Sequence, residues 1–162
     1  MSKFRPVHFV PPNRQAEILD LPVQKVIAVP HQKQGDTSVQ IDCQPSHMEP
    51  SSVLREGSKA YLVISELTFL VSADAEERFM LDVSPGLSVG HIYDRIIQHG
   101  RQKYEFDLNG VGCRYWTTDQ LDLFSDSQIL TDKSQVAATK AGILKLWPDQ
   151  TPLPLDHGAY YQ

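Results

Sequence analysis

Cysteine is scarce in this sequence, and so are long apolar runs and clusters of positive charge. Cys43 and Cys113 are the two cysteines among 162 residues, too few for a disulfide framework. Both are expected to stay reduced, with the cytoplasm as the default compartment. No Cys-x-x-Cys or His-x-x-x-His spacing occurs, so no metal site is expected. The apolar stretch Ala60 to Ile64 is bounded by Lys59 and Glu66 and falls well short of a membrane span. The opening segment MSKFRPVHFVPPNRQ has no continuous apolar core and no small-residue cleavage site, so it does not read as a secretory signal. A net charge of −5 without a basic run sets the chain against nonspecific nucleic-acid binding, because phosphate is repelled overall. No cofactor is expected either. The segment Asn109–Gly112 (NGVG) lacks the lysine and hydroxyl that a phosphate-binding loop needs.

What is present is an ordinary globular composition, 41% hydrophobic and 22% charged, at a length suited to one domain. Residues 1–23 carry Pro6, Pro11, Pro12 and Pro22 and are expected to form an extended, irregular arm. Strands are predicted at Gln24–Val29, at Asp36–Gln44 with Cys43 facing inward, at Arg78–Val83 and at Lys103–Leu108. The period of Lys59–Val71 fits a buried strand or a helix, and its β-branched and aromatic content favours the strand. Pro45 to Pro50 is expected to break regular structure. Ser88 can cap a helix that carries Val89, Ile92, Tyr93 and Ile96 on one face and stops at Gly100. A short helix over Asp119–Phe124 and a third over Asp132–Trp147 follow, and residues 148–162 form a proline-rich tail expected to strap on through its tyrosines. Strands first and helices later predict an α+β fold, a single domain with a mixed or antiparallel sheet and about three helices in the C-terminal half.

The most chemically suggestive stretch is DLNGVGCRYWTTDQLDLF, Asp107 to Phe124. Three readings of Cys113 compete. Asn109-Gly110 can form a two-residue hairpin turn, so that Val111 to Trp116 returns as a strand. A helix can instead begin at Cys113, where free N–H groups and the dipole would favour a thiolate. Or Cys113 lies in a loop and the helix starts after Thr117, where Thr117 and Gln120 have capping-box spacing. The default for a cysteine without a base is a small buried hydrophobe. Around it, Arg101, Lys103 and Arg114 can receive a carboxylate or phosphate, although a solvated positive face explains them as well. Tyr104, Phe106, Tyr115 and Trp116 can line an apolar pocket, or simply fill the core.

The run GRQKYEFDLNGVGCRYW (Gly100 to Trp116), with the upstream GSKAYLVISEL and the tail HGAYY, resembles a fungal domain family of unknown function from about Val26 onward. The glycine-cysteine-aromatic step is also remotely similar to the nucleophile region of circularly permuted papain-like hydrolases. This second similarity implies Cys113 as a nucleophile, and His31 matches a histidine common in the fungal family that implies a general base, although a loop histidine bonded to backbone explains it as well. One departure matters: family members usually carry a His-Trp pair between the segments matching VIAVPH and SVQIDC, and here only Gln32 to Thr37 joins them. A thiol needs a base to attack efficiently at neutral pH, and His31 and His47 are the nearest substitutes in sequence.

Two classes of function remain open. One is a small cofactor-independent enzyme acting on an apolar small molecule, such as a cyclase or isomerase of fungal specialised metabolism, with a Cys113-dependent hydrolase or acyl-transferase as its variant. The candidate residues are His31 and Cys113 for catalysis, and Arg101, Lys103, Tyr104, Arg114, Tyr115 and Trp116 for substrate. The other is a non-catalytic ligand-binding or interaction domain. A closed pocket lined by Tyr104 and Trp116 favours the first class, and a filled core the second.

Overall fold

Two long strands, Asp36–Pro50 and Ser58–Phe69, carry the architecture: they pair antiparallel in unbroken register from Asp36↔Phe69 to Pro45↔Ala60. A computed structural model of the chain describes residues 4–23, 25–28, 36–69, 79–110, 112–143, 145–146, 151–152 and 158–162. In chain order the strands are β1 (Val7–Val10), β2 (Lys25–Ala28), β3 (Asp36–Pro50), β4 (Ser58–Phe69), β5 (Phe79–Asp82), β6 (Tyr104–Phe106), β7 (Lys145–Leu146), β8 (Thr151–Pro152) and β9 (Ala159–Tyr160). The α-helices are α1 (Gln15–Asp20), α2 (Val89–Gln98), α3 (Cys113–Asp126) and α4 (Lys133–Ile143). Three of the four helices lie in the C-terminal half, and the sheet is mixed, as expected of this α+β chain.

β4 is the hub of a five-stranded sheet. β3 runs along one of its edges; β1 (parallel) and β6 (antiparallel) share the other, and β9 flanks β6. Alternation decides the faces. Ala60, Leu62 and Ile64 are buried with Cys43, the half-buried Ile41 packs beside them, and this face meets Ile92, Ile96, Trp116, Leu121 and Phe124 of the helices. Lys59, Tyr61, Val63 and Ser65 point the other way, in register with Asp42, Gln44 and His8. Ile18 of α1 closes a second cluster with Phe9, Ile64 and Val89. β2 and β5 form a separate antiparallel ribbon, tied to α4 where the Gln135 amide donates to Asp82 Oδ2 at 2.9 Å and accepts from the Asp82 N–H at 2.9 Å.

Several local expectations are corrected. The proline-rich arm is ordered: β1 joins the sheet edge, a 3-10 turn follows over Pro12–Arg14, and α1 packs its Ile18 fully inside. Proline there occupies positions that need no ladder donor. Arg14 then anchors the arm by a bidentate pair to Glu66, with Nη2 at 3.0 Å from Oε1 and Nε at 3.2 Å from Oε2. Pro45 to Pro50 bends β3 through a register shift without ending it. The strand predicted to reach Leu108 stops at Phe106, and Leu108 is 68% exposed. α2 begins and ends as its sequence implies, but its capping box uses His91: the His91 Nδ1 accepts from the Ser88 N–H at 2.8 Å. α4 stops at Ile143, ahead of the short β7.

Candidate functional site

The turn at Asp107–Gly110 decides which reading of Cys113 holds. The Gly110 N–H donates to the Asp107 carbonyl at 2.9 Å, and Asp107 Oδ1 accepts from the Asn109 N–H at 2.9 Å. Leu108 and Asn109 are therefore the central pair, and Asn109 does not take the positive φ that a type I′ hairpin demands. The chain enters a helix instead of returning as a strand. Gly112 is its N-cap residue at φ +140°, and α3 starts at Cys113, so both the hairpin and the later start after Thr117 are corrected. Thr117 sits inside the helix, and Gln120, the other half of the expected capping box, donates to the Trp116 carbonyl at 3.1 Å. The backbone of residue 113 thus occupies the first turn of a 14-residue helix.

Around this helix start the sequence candidates meet. Tyr104 is 0% exposed, and its hydroxyl donates to the Gly112 carbonyl at 2.7 Å while accepting the Gly158 N–H at 2.9 Å. Burial pushes its phenol well above the ordinary value, so it stays neutral. Trp116 is 5% exposed, and its indole N–H donates to the Arg101 carbonyl at 2.8 Å. The Arg101 guanidinium pairs with Asp119 and lies 5.4 Å from the Tyr160 ring centroid. Tyr160 donates to Asp119 Oδ2 at 2.6 Å and accepts from Gln120 Nε2 at 3.1 Å. Burial, with the Asp119 hydrogen bond, raises the Tyr160 phenol too. Asp119, Gln120 and Tyr160 thus complete a network that the sequence reading missed. Lys103 enters through its backbone, accepting the Tyr161 N–H at 3.0 Å. Arg114 and Tyr115 are half-buried on α3, and Arg114 Nε is buried with no hydrogen-bond partner among the described residues.

His31 lies outside the described residues, as does the side chain of Cys113. His47 is the histidine that approaches: a methyl group placed at Gly110 would lie 3.7 Å from its Cε1, so its imidazole rests on the turn three residues ahead of Cys113. Among the described residues no group of three or more His, Cys, Asp or Glu side chains could hold a metal ion.

A second charged feature sits on the opposite sheet face. Glu105 is 0% exposed, yet its carboxylate is satisfied by four donors of the loop between β3 and β4. The Ser52, Val53 and Leu54 N–H groups donate at 2.6, 2.9 and 3.0 Å, and Ser52 Oγ donates at 2.9 Å. Three consecutive amides converging on an anion form a nest. Burial works to raise this carboxyl, but the hydrogen bonds from Leu54, Ser52 and Val53 outweigh it and hold it below the ordinary range. Gly57 ends the loop at φ +126°, where a side chain would run into the Phe106 carbonyl. In sequence Glu105 looked like any outward polar residue between Tyr104 and Phe106.

Among the described residues, concavities open in two places, the second beside the Asp107–Gly110 turn. One of about 580 Å³ lies between Pro22, Val23, Val83, Pro85 and Leu87. A smaller one of about 280 Å³ lies between His47, Met48, Glu49, Asp107 and Leu108. Neither is lined by Tyr104 or Trp116. No helix among the described residues is long and apolar enough to cross a membrane. Comparison with curated proteins and with solved structures finds no match. Residues 29–161, which include β3, β4, the α3 start and its network, match a domain of unknown function, and the chain belongs to that family, DUF7770.

Proposed function

We propose that this chain is a non-catalytic interaction or ligand-binding domain that presents its open surfaces to a partner. The observation that carries this reading is the state of Tyr104 and Trp116. Both are core residues whose polar atoms are already bonded to the protein's own backbone. Arg101, one of the cations considered for a substrate carboxylate, is paired with Asp119. A cofactor-independent cyclase or isomerase of fungal specialised metabolism would need a closed apolar chamber, and the concavities described above are open. The net charge of −5 speaks against nucleic acid as the partner, and the paucity of cysteine fits a reducing, cytoplasmic setting. The experiment is chemical-shift mapping of the labelled protein against fractionated extracts of its source cells. Perturbations grouped on the open surfaces, with an unmoved Trp116 indole signal, are expected; a large shift of that indole signal would contradict the reading.

A second reading has one observation of its own. α3 begins at Cys113, and His47 stands beside the turn that leads into it. A thiolate there, with His47 as base, is the arrangement a hydrolase or acyl-transferase would use.

A further inference from the structure

Methionine is rare in this chain, with three residues in all, and Met48 is 76% exposed. It sits where β3 leaves the ladder. Between Pro45 and Pro50 the register with β4 shifts, and His47 takes φ +55° within that shift. The buried Ser46 hydroxyl fixes the bulge, accepting from the Met48 N–H at 3.4 Å and the Glu49 N–H at 3.3 Å. A bulge of this kind re-aims a side chain. The Met48 sulfur, so presented, accepts a hydrogen bond from the Tyr61 hydroxyl at 3.3 Å. Tyr61 is itself held. Its ring stacks on Phe4 with centroids 5.5 Å apart and meets the His8 ring nearly at right angles, 4.8 Å away. A fixed donor therefore covers one side of an exposed thioether.

We infer that Met48 is a site of reversible oxidation by peroxides, and that the Tyr61 hydroxyl directs the reaction to one of the two sulfoxide epimers. The sulfur attacks the peroxide through a lone pair, and the S–O bond forms as the O–O bond breaks. Sulfur loses the two electrons that the peroxide gains. With hydrogen peroxide, the proton on the transferred oxygen passes to the leaving oxygen, which departs as water. A thioether sulfur has two lone pairs that lead to products of opposite hand. Tyr61 engages one of them, so the oxygen adds at the other and one epimer is in excess. Oxidation within a core is disruptive, whereas here it falls on the surface. Met48 and the 68% exposed Leu108 line the same concavity beside His47, Glu49 and Asp107. The sulfoxide replaces one of those two exposed apolar groups with a polar one, and reduction restores it.

The experiment treats folded and urea-denatured protein with hydrogen peroxide and reads Met48 by peptide mass spectrometry. After digestion, the epimers are assigned with the two methionine sulfoxide reductases, each of which reduces one of them. Folded Met48 is expected to oxidise as fast as denatured Met48, and one reductase should restore most of it. In the denatured control each reductase should restore about half. Tyr61→Phe, which removes only the hydroxyl, should oxidise equally fast and lose the bias. Met48 spared in the folded protein, at doses that oxidise the denatured chain, would overturn the inference. So would equal epimers in the folded protein, or an undiminished bias in Tyr61→Phe. The comparison of folded with denatured protein needs no variant, so it decides the matter even where Tyr61→Phe fails to fold.

Discussion

The Tyr104 hydroxyl donates a 2.7 Å hydrogen bond to the carbonyl of Gly112, the residue that caps α3. The same oxygen accepts from the tail at Gly158, so one phenol joins strand, helix and C-terminal segment. Tyr104→Phe should destabilise the protein by about 1–3 kcal/mol, because it leaves a buried carbonyl and a part-buried N–H without their partner. Gly112→Ala should cost a similar roughly 1–3 kcal/mol through its positive φ, and its Cβ would lie only 3.0 Å from that hydroxyl. Denaturant melts of both variants check this. Wild-type stability in both would mean the junction is not the structural knot described.

The Glu105 nest gives the acid limb of stability its sign. Its carboxyl is held below the ordinary value of 4.5, so its contribution is present above that pH and is lost as pH falls through the lower folded value. Glu105→Gln should cost roughly 2–3 kcal/mol at pH 7 and flatten the fall in stability between neutral and acid pH. Melts of the two proteins at pH 7 and pH 3 decide it, and parallel pH dependences would speak against the nest.

The network Arg101–Asp119–Tyr160 should behave as one unit. Asp119→Ala is expected to lose about 1–2 kcal/mol, between the values for exposed and fully buried pairs. Adding Arg101→Met should then cost little more, since the partner is already gone. Limited proteolysis should cut the tail near Tyr160 faster in either variant. Strict additivity would show that the three side chains act separately.

Cys113 is the residue on which the two functional readings part. A thiol at a helix start is expected to label with iodoacetamide near neutrality faster than in a denatured control. Cys113→Ser should nevertheless fold and bind as wild type. Fast labelling at pH 6 that His47→Ala abolishes, together with loss of a measurable activity in a folded Cys113→Ser protein, would favour the nucleophile.

Hydrophobic periodicity made β3 and α2 legible through clean alternation or helical spacing, whereas the period of β4 fitted a helix as well and its β-branched and aromatic content pointed to the strand. α1 was hidden by its neighbours: Pro11 and Pro12 suggest irregular chain, and only Ile18 of its six residues is fully buried. The start of α3 was ambiguous because Asn109-Gly110 suits a hairpin, and only tertiary contact with Tyr104 and the tail selects the helix. Arg101, Tyr104 and Trp116 were recognisable as a set. Their partners were not, since Asp119 reads as a helix-surface acid and Tyr160 lies 41 residues further along the chain. Glu105 was invisible for the same reason, its loop partners being more than fifty residues away.

The most direct measurement of the central claim is a stoichiometry. The protein is incubated at low concentration with a small-molecule extract of its source cells, and each metabolite is quantified by mass spectrometry. An interaction domain predicts that no metabolite falls by more than the molar amount of protein added. Depletion of any metabolite by many equivalents, lost on heat denaturation of the protein, would contradict it.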